Sequence, residues 1–228
     1  MISRSSKPLP SWPAESLAYI VDDDESICRS LLRLFHSTQL PARSFTSAQA
    51  YLEQAAVHTG PSCLVLDVQL PKFGGLELQK TVTERETQIV FLTGHGDVPM
   101  CAEAMKAGAS DFLTKPVDGV ALLVAVARAL NRSAEICRAK ARKTLLRAQF
   151  DQLTPREFEV MRGIVAGLLN KQIGAELGMA EKTVKIHRGR VMEKIGVASV
   201  ADLVRRAQAV GVSPSATRAS SGNLISCH

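Results

Sequence analysis

The chain has 228 residues and 46% hydrophobic content, enough for one large or two ordinary domains with real cores. Its net charge of +6 conceals a split. Residues 16–130 carry 9 Lys and Arg against 13 Asp and Glu, while residues 131–228 carry 17 against 8, so an acidic half is joined to a basic half suited to a polyanion. The five cysteines (Cys28, Cys63, Cys101, Cys137, Cys227) are scattered, with no C-x-x-C spacing and no clustered His, which argues against a disulfide framework and a zinc site and fits a reducing cytosol.

Met1–Glu15 is rich in Ser and Pro and lacks the apolar core of a signal peptide, so it reads as a disordered leader. The apolar run Val120–Ala127 is too short to span a bilayer, so no membrane contact and a cytoplasmic location are expected. Leu17–Val21 reads as a strand ending in Asp22-Asp23-Asp24, and Glu25–Ser37 has helical spacing of Ile27, Leu31, Leu34 and Phe35. Leu40–Phe45 is a weaker strand, followed by a helix over Ser47–Ala56 with Ser47 as its cap. Cys63–Leu66 is an unbroken apolar run, the pattern of a strand buried on both faces, and it carries Asp67 at its carboxyl end. Leu70-Pro71 and Gly74-Gly75 then mark a loop before a helix from Leu76 to about Glu84.

Ile89–Leu92 is a fourth strand ending at Thr93, and Asp97–Ala107 a helix closed by Gly108. Ser110–Leu113 is a fifth strand ending at Thr114-Lys115-Pro116, and Asp118 begins a long helix packing Val120, Leu123, Val124, Ala127 and Leu130. Five strand–helix pairs imply one parallel sheet with helices on both faces. Asp22, Asp23, Asp67, Thr93 and Lys115 all fall at carboxyl ends of strands, so they converge on one rim of such a sheet. Clustered carboxylates repel, and a hard cation such as Mg²⁺ offsets that repulsion and neutralises phosphoryl oxygens. With Lys115 and Thr93 as further donors, the site suits an acyl phosphate on Asp67.

The segments IVDDDES, LVLDVQLP with Gly74-Gly75, FLTGHGD and FLTKP resemble, at these spacings, the receiver domain of two-component systems. The resemblance covers residues 16–130 and implies a flavodoxin-like (βα)5 fold. It implies phosphoacceptor Asp67, Asp23 as direct Mg²⁺ ligand with Asp22 acting through water, and the Gln69 carbonyl as a further ligand. It also implies Thr93 as switch hydroxyl, Lys115 as phosphoryl partner, Phe112 as switch aromatic and Asp24 as a modulating acid. Gly94–Met100 resembles the FixJ branch. The implied partner is a histidine kinase, and the implied outcome is a homodimer formed on phosphorylation.

Asn131–Gln149 is Ala-rich and basic, with sparse apolar positions at Ile136, Leu145 and Leu146, and reads as a solvated helical linker spanning 131–152. Direct DNA contact by it, and pairing between protomers, stay open. Thr154-Pro155-Arg156-Glu157 is a capping-box start for a helix bearing Phe158, Val160, Met161, Ile164 and Val165 and ended by Gly167. Asn170 can cap a short helix Lys171–Leu177 with Ile173 and Leu177 inward. Gly178-Met179-Ala180 turns into a helix over Glu181–Ile195, and Val200–Val210 forms a fourth. This is a helix-turn-helix whose second helix enters the major groove. On that helix Val184, Val191 and Ile195 share the core face. Lys182, Lys185, Ile186 and Gly189 point toward the groove, with Arg188 and Arg190 flanking. His187 lies near the core face, as a packing residue with one satisfied nitrogen or as a base reader.

Residues 153–212, through LTPREFEVM, AGLLNKQIGAELGM and EKTVKIHRGRVMEKIG, resemble the LuxR/FixJ-type DNA-binding domain. The resemblance implies an all-α four-helix domain that binds double-stranded DNA through Lys182, Thr183, Lys185, Ile186, Arg188 and Arg190, with RNA polymerase as a further partner. Two departures stand out. Gly174 replaces the usual Ala, at ~1 kcal/mol by propensity, and Ala180 replaces the usual capping Ser or Thr. Residues 213–228 read as a disordered tail.

The expected function is a phosphorylation-gated transcription regulator, not an enzyme. A haloacid-dehalogenase-like phosphatase needs a second acid two residues after the nucleophile, where Gln69 stands. A DNA-binding protein with a phosphate-blind receiver is the third reading.

Overall fold

The structure is a computed structural model that describes residues 11–54, 58–71, 74–82, 86–94 and 98–212. It divides into two units, 1–139 and 140–228.

The first unit is one parallel sheet in the order β2-β1-β3-β4-β5. Its strands are β1 (Leu17–Val21), β2 (Ala42–Phe45), β3 (Ser62–Asp67), β4 (Gln88–Thr93) and β5 (Asp111–Thr114). The helices are α1 (Glu25–Ser37), α2 (Ala48–Gln54), α3 (Gly75–Val82), α4 (Val98–Lys106) and α5 (Gly119–Phe150), the last continuing into the second unit. β2 starts two residues later than its apolar pattern implied, because Pro41 has no N–H for the ladder and only its carbonyl bonds Ala18 N. Expected helix residues 55–56, 83–84 and 97 lie outside the described residues.

The period of two along each strand sorts side chains into two cores. Ala18, Ile20, Cys63, Val65, Val90 and Leu92 face α1 and α5, whereas Tyr19, Val21, Leu64, Leu66, Ile89 and Phe91 pack with Tyr51, Leu78, Val82 and Ala104 of α2, α3 and α4. Sheet order reverses at β1, so the carboxyl ends of β1 and β3 flank the crevice where such sheets bind ligands.

Three expectations are corrected here. The loose leader over residues 1–15 fails at its end: Trp12 donates Nε1–H to the Thr38 carbonyl at 2.8 Å and packs on the first core, while residues 1–10 lie outside the described residues. On α5 the buried face is Leu122, Leu123, Val126, Ala129 and Leu130; Val120 and Val124 are 64% and 48% exposed. The segment 131–150 is not uniformly solvated either. Ser133 and Ala134 are buried in the first unit, and Phe150 is buried in the core of the second.

The second unit comprises the end of α5 with α6 (Pro155–Val165), α7 (Asn170–Leu177), α8 (Glu181–Ile195) and α9 (Val200–Ala209). Phe150, Val160, Met161, Ile164, Ile173, Val184, Val191, Ile195 and Leu203 form its core. Thr154 caps α6 in a capping box with Glu157, and the buried Glu157 carboxylate also takes Lys194 Nζ at 2.6 Å, tying the start of α6 to the end of α8. Gly178 ends α7 with φ 65°, the left-handed conformation the short turn to α8 requires. Asn170 is not the cap of α7. Leu169 occupies that position, and its amide is satisfied by Gln172 Oε1 at 2.8 Å, which frees Asn170 for another partner. Residues 213–228 lie outside the described residues.

Candidate functional site

Asp22 follows β1, Asp67 ends β3, Thr93 ends β4 and Lys115 follows β5, so parallel pairing brings residues up to 93 positions apart to one rim. Carboxylate oxygens of Asp22, Asp23 and Asp67 lie within 4.8 Å of one another. Lys115 Nζ donates to Asp22 Oδ2 at 2.6 Å and to Asp67 Oδ2 at 2.7 Å. The other Asp67 oxygen accepts the Gln69 amide at 2.9 Å, and Asp22 Oδ1 accepts the Asp24 amide at 3.0 Å. The Lys115 amide donates to the Thr93 carbonyl at 2.6 Å, and the Lys115–Pro116 peptide is cis.

Burial sets the electrostatics. Asp22 is 1% exposed, and desolvation raises its carboxyl above the usual range even though Lys115 and the Asp24 amide pull the other way. Burial lowers Lys115, but its hydrogen bonds to Asp22 and Asp67 outweigh that and leave the ammonium above its ordinary value. Three carboxylates against one ammonium leave a surplus of two negative charges in a half-dry site. That surplus, with an all-oxygen donor set, fits a divalent hard cation such as Mg²⁺. Asp23 is exposed beside the buried pair, open to water and to an incoming group.

Thr93 is fully buried, and Phe112 is half-buried on β5 with its ring 6.3 Å from that of Phe91. Asp24 acts as the N-cap of α1, accepting the Ser26 amide at 2.7 Å; its hydrogen bonds from Ser26 hold the carboxyl below its ordinary value. Gly75, which the sequence marks as loop punctuation and as part of the Gly74-Gly75 motif, sits against the Asp67 backbone. A Cβ there would lie 2.5 Å from the Asp67 carbonyl, so α3 can start against the Asp67 backbone only with glycine. The expected His95–Asp97 portion of the loop lies outside the described residues.

In the second unit, Lys182, Thr183, Lys185, Ile186, Gly189 and Arg190 are exposed on α8, opposite the buried Val184, Val191 and Ile195. Ile186, at 50% exposure, is a large apolar side chain held in water among cations. Arg188 is half-buried, and its Nη1 donates to Asn170 Oδ1 of α7 at 3.3 Å. His187 is half-buried, and its Nδ1 has no hydrogen-bond partner among the described residues. Ala180 gives α8 no side-chain cap. Gly174 is more than a weak helix residue: a Cβ there would lie 2.6 Å from the Met179 carbonyl in the turn between α7 and α8.

Comparison with known proteins finds a family model for each unit. Residues 18–127 match the response regulator receiver domain, and residues 151–207 match the luxR family of bacterial regulatory proteins. Nodulation protein W of Bradyrhizobium diazoefficiens is 44% identical over 207 residues, covering 89% of this chain and 90% of that protein. The chain belongs to the two-component response regulators with a LuxR-type DNA-binding domain. Transcriptional regulatory protein FixJ of Azorhizobium caulinodans is 41% identical to this regulator over 203 residues, covering 88% and 96% of the two chains. Among solved structures, the response regulator StyR superposes with a TM-score of 0.75 at 41% identity, covering 86% of the regulator and 99% of StyR. Full-length FixJ from B. japonicum gives a TM-score of 0.51 at 36% identity over 86% and 97%. The regulator is therefore a phosphorylation-responsive transcription regulator, built from a flavodoxin-like receiver and a helix-turn-helix domain. Among the described residues, no helix is long and apolar enough to cross a membrane.

Proposed function

We propose that the regulator accepts a phosphoryl group on Asp67 from the phosphohistidine of a partner kinase, and that this governs DNA binding by α8. A carboxylate oxygen of Asp67 attacks phosphorus, the P–O bond forms as the P–N bond breaks, and the electron pair leaves on the imidazole nitrogen. The observation that carries the reading is Lys115 Nζ within 2.7 Å of both Asp22 and Asp67, beside a third carboxylate. That ammonium neutralises charge on the equatorial oxygens as transfer proceeds. Asp22, Asp23, Asp67 and the Gln69 carbonyl would hold Mg²⁺, which supplies charge neutralisation and orientation of the phosphoryl oxygens when bound.

Thr93 then moves toward the phosphoryl oxygens and Phe112 turns inward, biasing a two-state surface of α4, β5 and α5 toward a homodimer. Residues 16–130 act as receiver, 131–152 as connecting helix and 153–212 as DNA-binding domain. Lys182, Thr183, Lys185, Ile186, Arg188 and Arg190 contact duplex DNA. Arg188 does so from the position its bond to Asn170 gives it. Binding of RNA polymerase and a cytoplasmic location complete the reading.

A gel shift with phosphorylated and unmodified full-length regulator tests it. Phosphorylation is expected to strengthen operator binding and shift the protein to a dimer by light scattering. Equal binding by both forms would leave the receiver as an interaction module only. The regulator is expected not to turn over a generic phosphoester; sustained turnover would revive the phosphatase reading.

A further inference from the structure

We propose that Gly189 is a specificity determinant for DNA, present because a base edge lies against the α8 backbone at that point. The inference rests on the reading of α8 as the helix that enters the major groove.

Glycine is, after proline, the least favourable residue for a helix interior. Gly189 sits in the middle of α8, a helix that already begins without a side-chain cap at Ala180. Nothing among the described residues requires it. A Cβ at Gly189 would meet no atom of the described residues within 4 Å, and its φ lies outside the left-handed range. The other described glycines of this unit each have an internal reason. Gly163 and Gly174 have no room for a Cβ, and Gly167, Gly178, Gly196 and Gly211 have positive φ. Gly189 alone among them has none among the described residues, which a contact with DNA would explain.

Its position says what lies there. Gly189 is exposed and shares a face with Lys182, Lys185 and Ile186, at helical spacings of seven, four and three residues. Two cations and an exposed isoleucine on that face match a groove that offers phosphates, guanine acceptors and thymine methyls. A helix lacking a Cβ at one point lets a base edge approach its backbone more closely than any other residue allows. Ile186, one turn before, then reaches the neighbouring base pair.

The test uses full-length regulator, phosphorylated with acetyl phosphate, and its Gly189→Ala variant. Each is used to select sites from a random duplex DNA library, and each is then titrated against the selected and an unselected duplex. The variant is expected to melt at higher temperature, since the methyl enters open space on a helix. It is also expected to bind the wild-type consensus at least ten-fold more weakly, to bind unselected duplex within two-fold of wild type, and to shift base preference at one position. An unchanged consensus bound equally or more tightly would overturn the proposal. A uniform loss on selected and unselected duplex would overturn the assignment to a base edge. If the wild type itself enriches no sequence, the groove reading of α8 falls, and this inference with it.

Discussion

Lys115 Nζ lies 2.7 Å from Asp67 Oδ2, across 48 residues of sequence, and its second bond to Asp22 Oδ2 makes one ammonium the bridge between β1 and β3. The same charge that would assist phosphoryl transfer also occupies the field a divalent cation would fill. Lys115→Met should therefore slow labelling by acetyl phosphate more than ten-fold, yet tighten Mg²⁺ binding several-fold by removing a competing cation. Isothermal titration with MgCl₂ alongside a labelling time course checks both. Weakened Mg²⁺ binding would contradict the electrostatic account of the pocket.

Gly75→Ala pushes on the Asp67 backbone, because the new Cβ would sit 2.5 Å from the Asp67 carbonyl. The expected result is a labelling rate reduced ten-fold or more, with a loss of stability of ~1–3 kcal/mol from overpacking. Urea unfolding and the labelling time course measure the two effects. Gly74→Ala, whose Cβ meets nothing within 4 Å among the described residues, serves as the neutral comparison.

Ser133 is fully buried on α5. Its hydroxyl accepts the Ser62 amide at 2.9 Å and donates to the Glu86 carbonyl at 2.7 Å, fastening α5 to the start of β3. Ser133→Ala leaves a buried amide without its partner and should cost ~1–3 kcal/mol of receiver stability. The urea midpoint should fall, and the Ser62 amide should exchange faster with solvent. An unchanged Ser62 exchange rate would show that the hydroxyl is dispensable.

Glu157 is pulled down to about 2 from 4.5, chiefly by its hydrogen bond from Lys194 and then by the Thr154 amide. Its folded value is depressed, so its stabilisation is fully present above pH 4.5 and is lost as pH falls from there toward 2. Hydrogen exchange at Val160 and Val191 should accelerate across that window in the wild type and stay flatter in Glu157→Gln. Lys194→Met, which strands the buried carboxylate, should cost ~1–3 kcal/mol at pH 7. That is less than a fully buried pair would lose, because Lys194 keeps 34% exposure.

How much of this was legible in the sequence depended on whether the cause was local. Cys63–Leu66 could be placed as a central strand because a run buried on both faces has no polar member. The rim cluster followed from where Asp22, Asp67 and Lys115 fall relative to strand ends. The phase of α5 did not follow. Val120 to Val126 is apolar throughout, so two stripes satisfy helical spacing, and only the sheet decides that Leu122, Leu123 and Val126 go inward. Asn170 has the intrinsic preference of a cap, but Gln172 meets that need and Asn170 bonds Arg188, 18 residues on. The Ser133 fastening joins residues 71 apart, and no pattern along the chain announces it.

The most direct test of the central claim is mass-spectrometric labelling of full-length regulator with acetyl phosphate and Mg²⁺, comparing wild type with Asp67→Asn. One phosphoryl group on Asp67 in the wild type, lost in the variant and in the presence of excess chelator, is the expected result. Undiminished labelling of Asp67→Asn at another residue would contradict the assignment of the pocket.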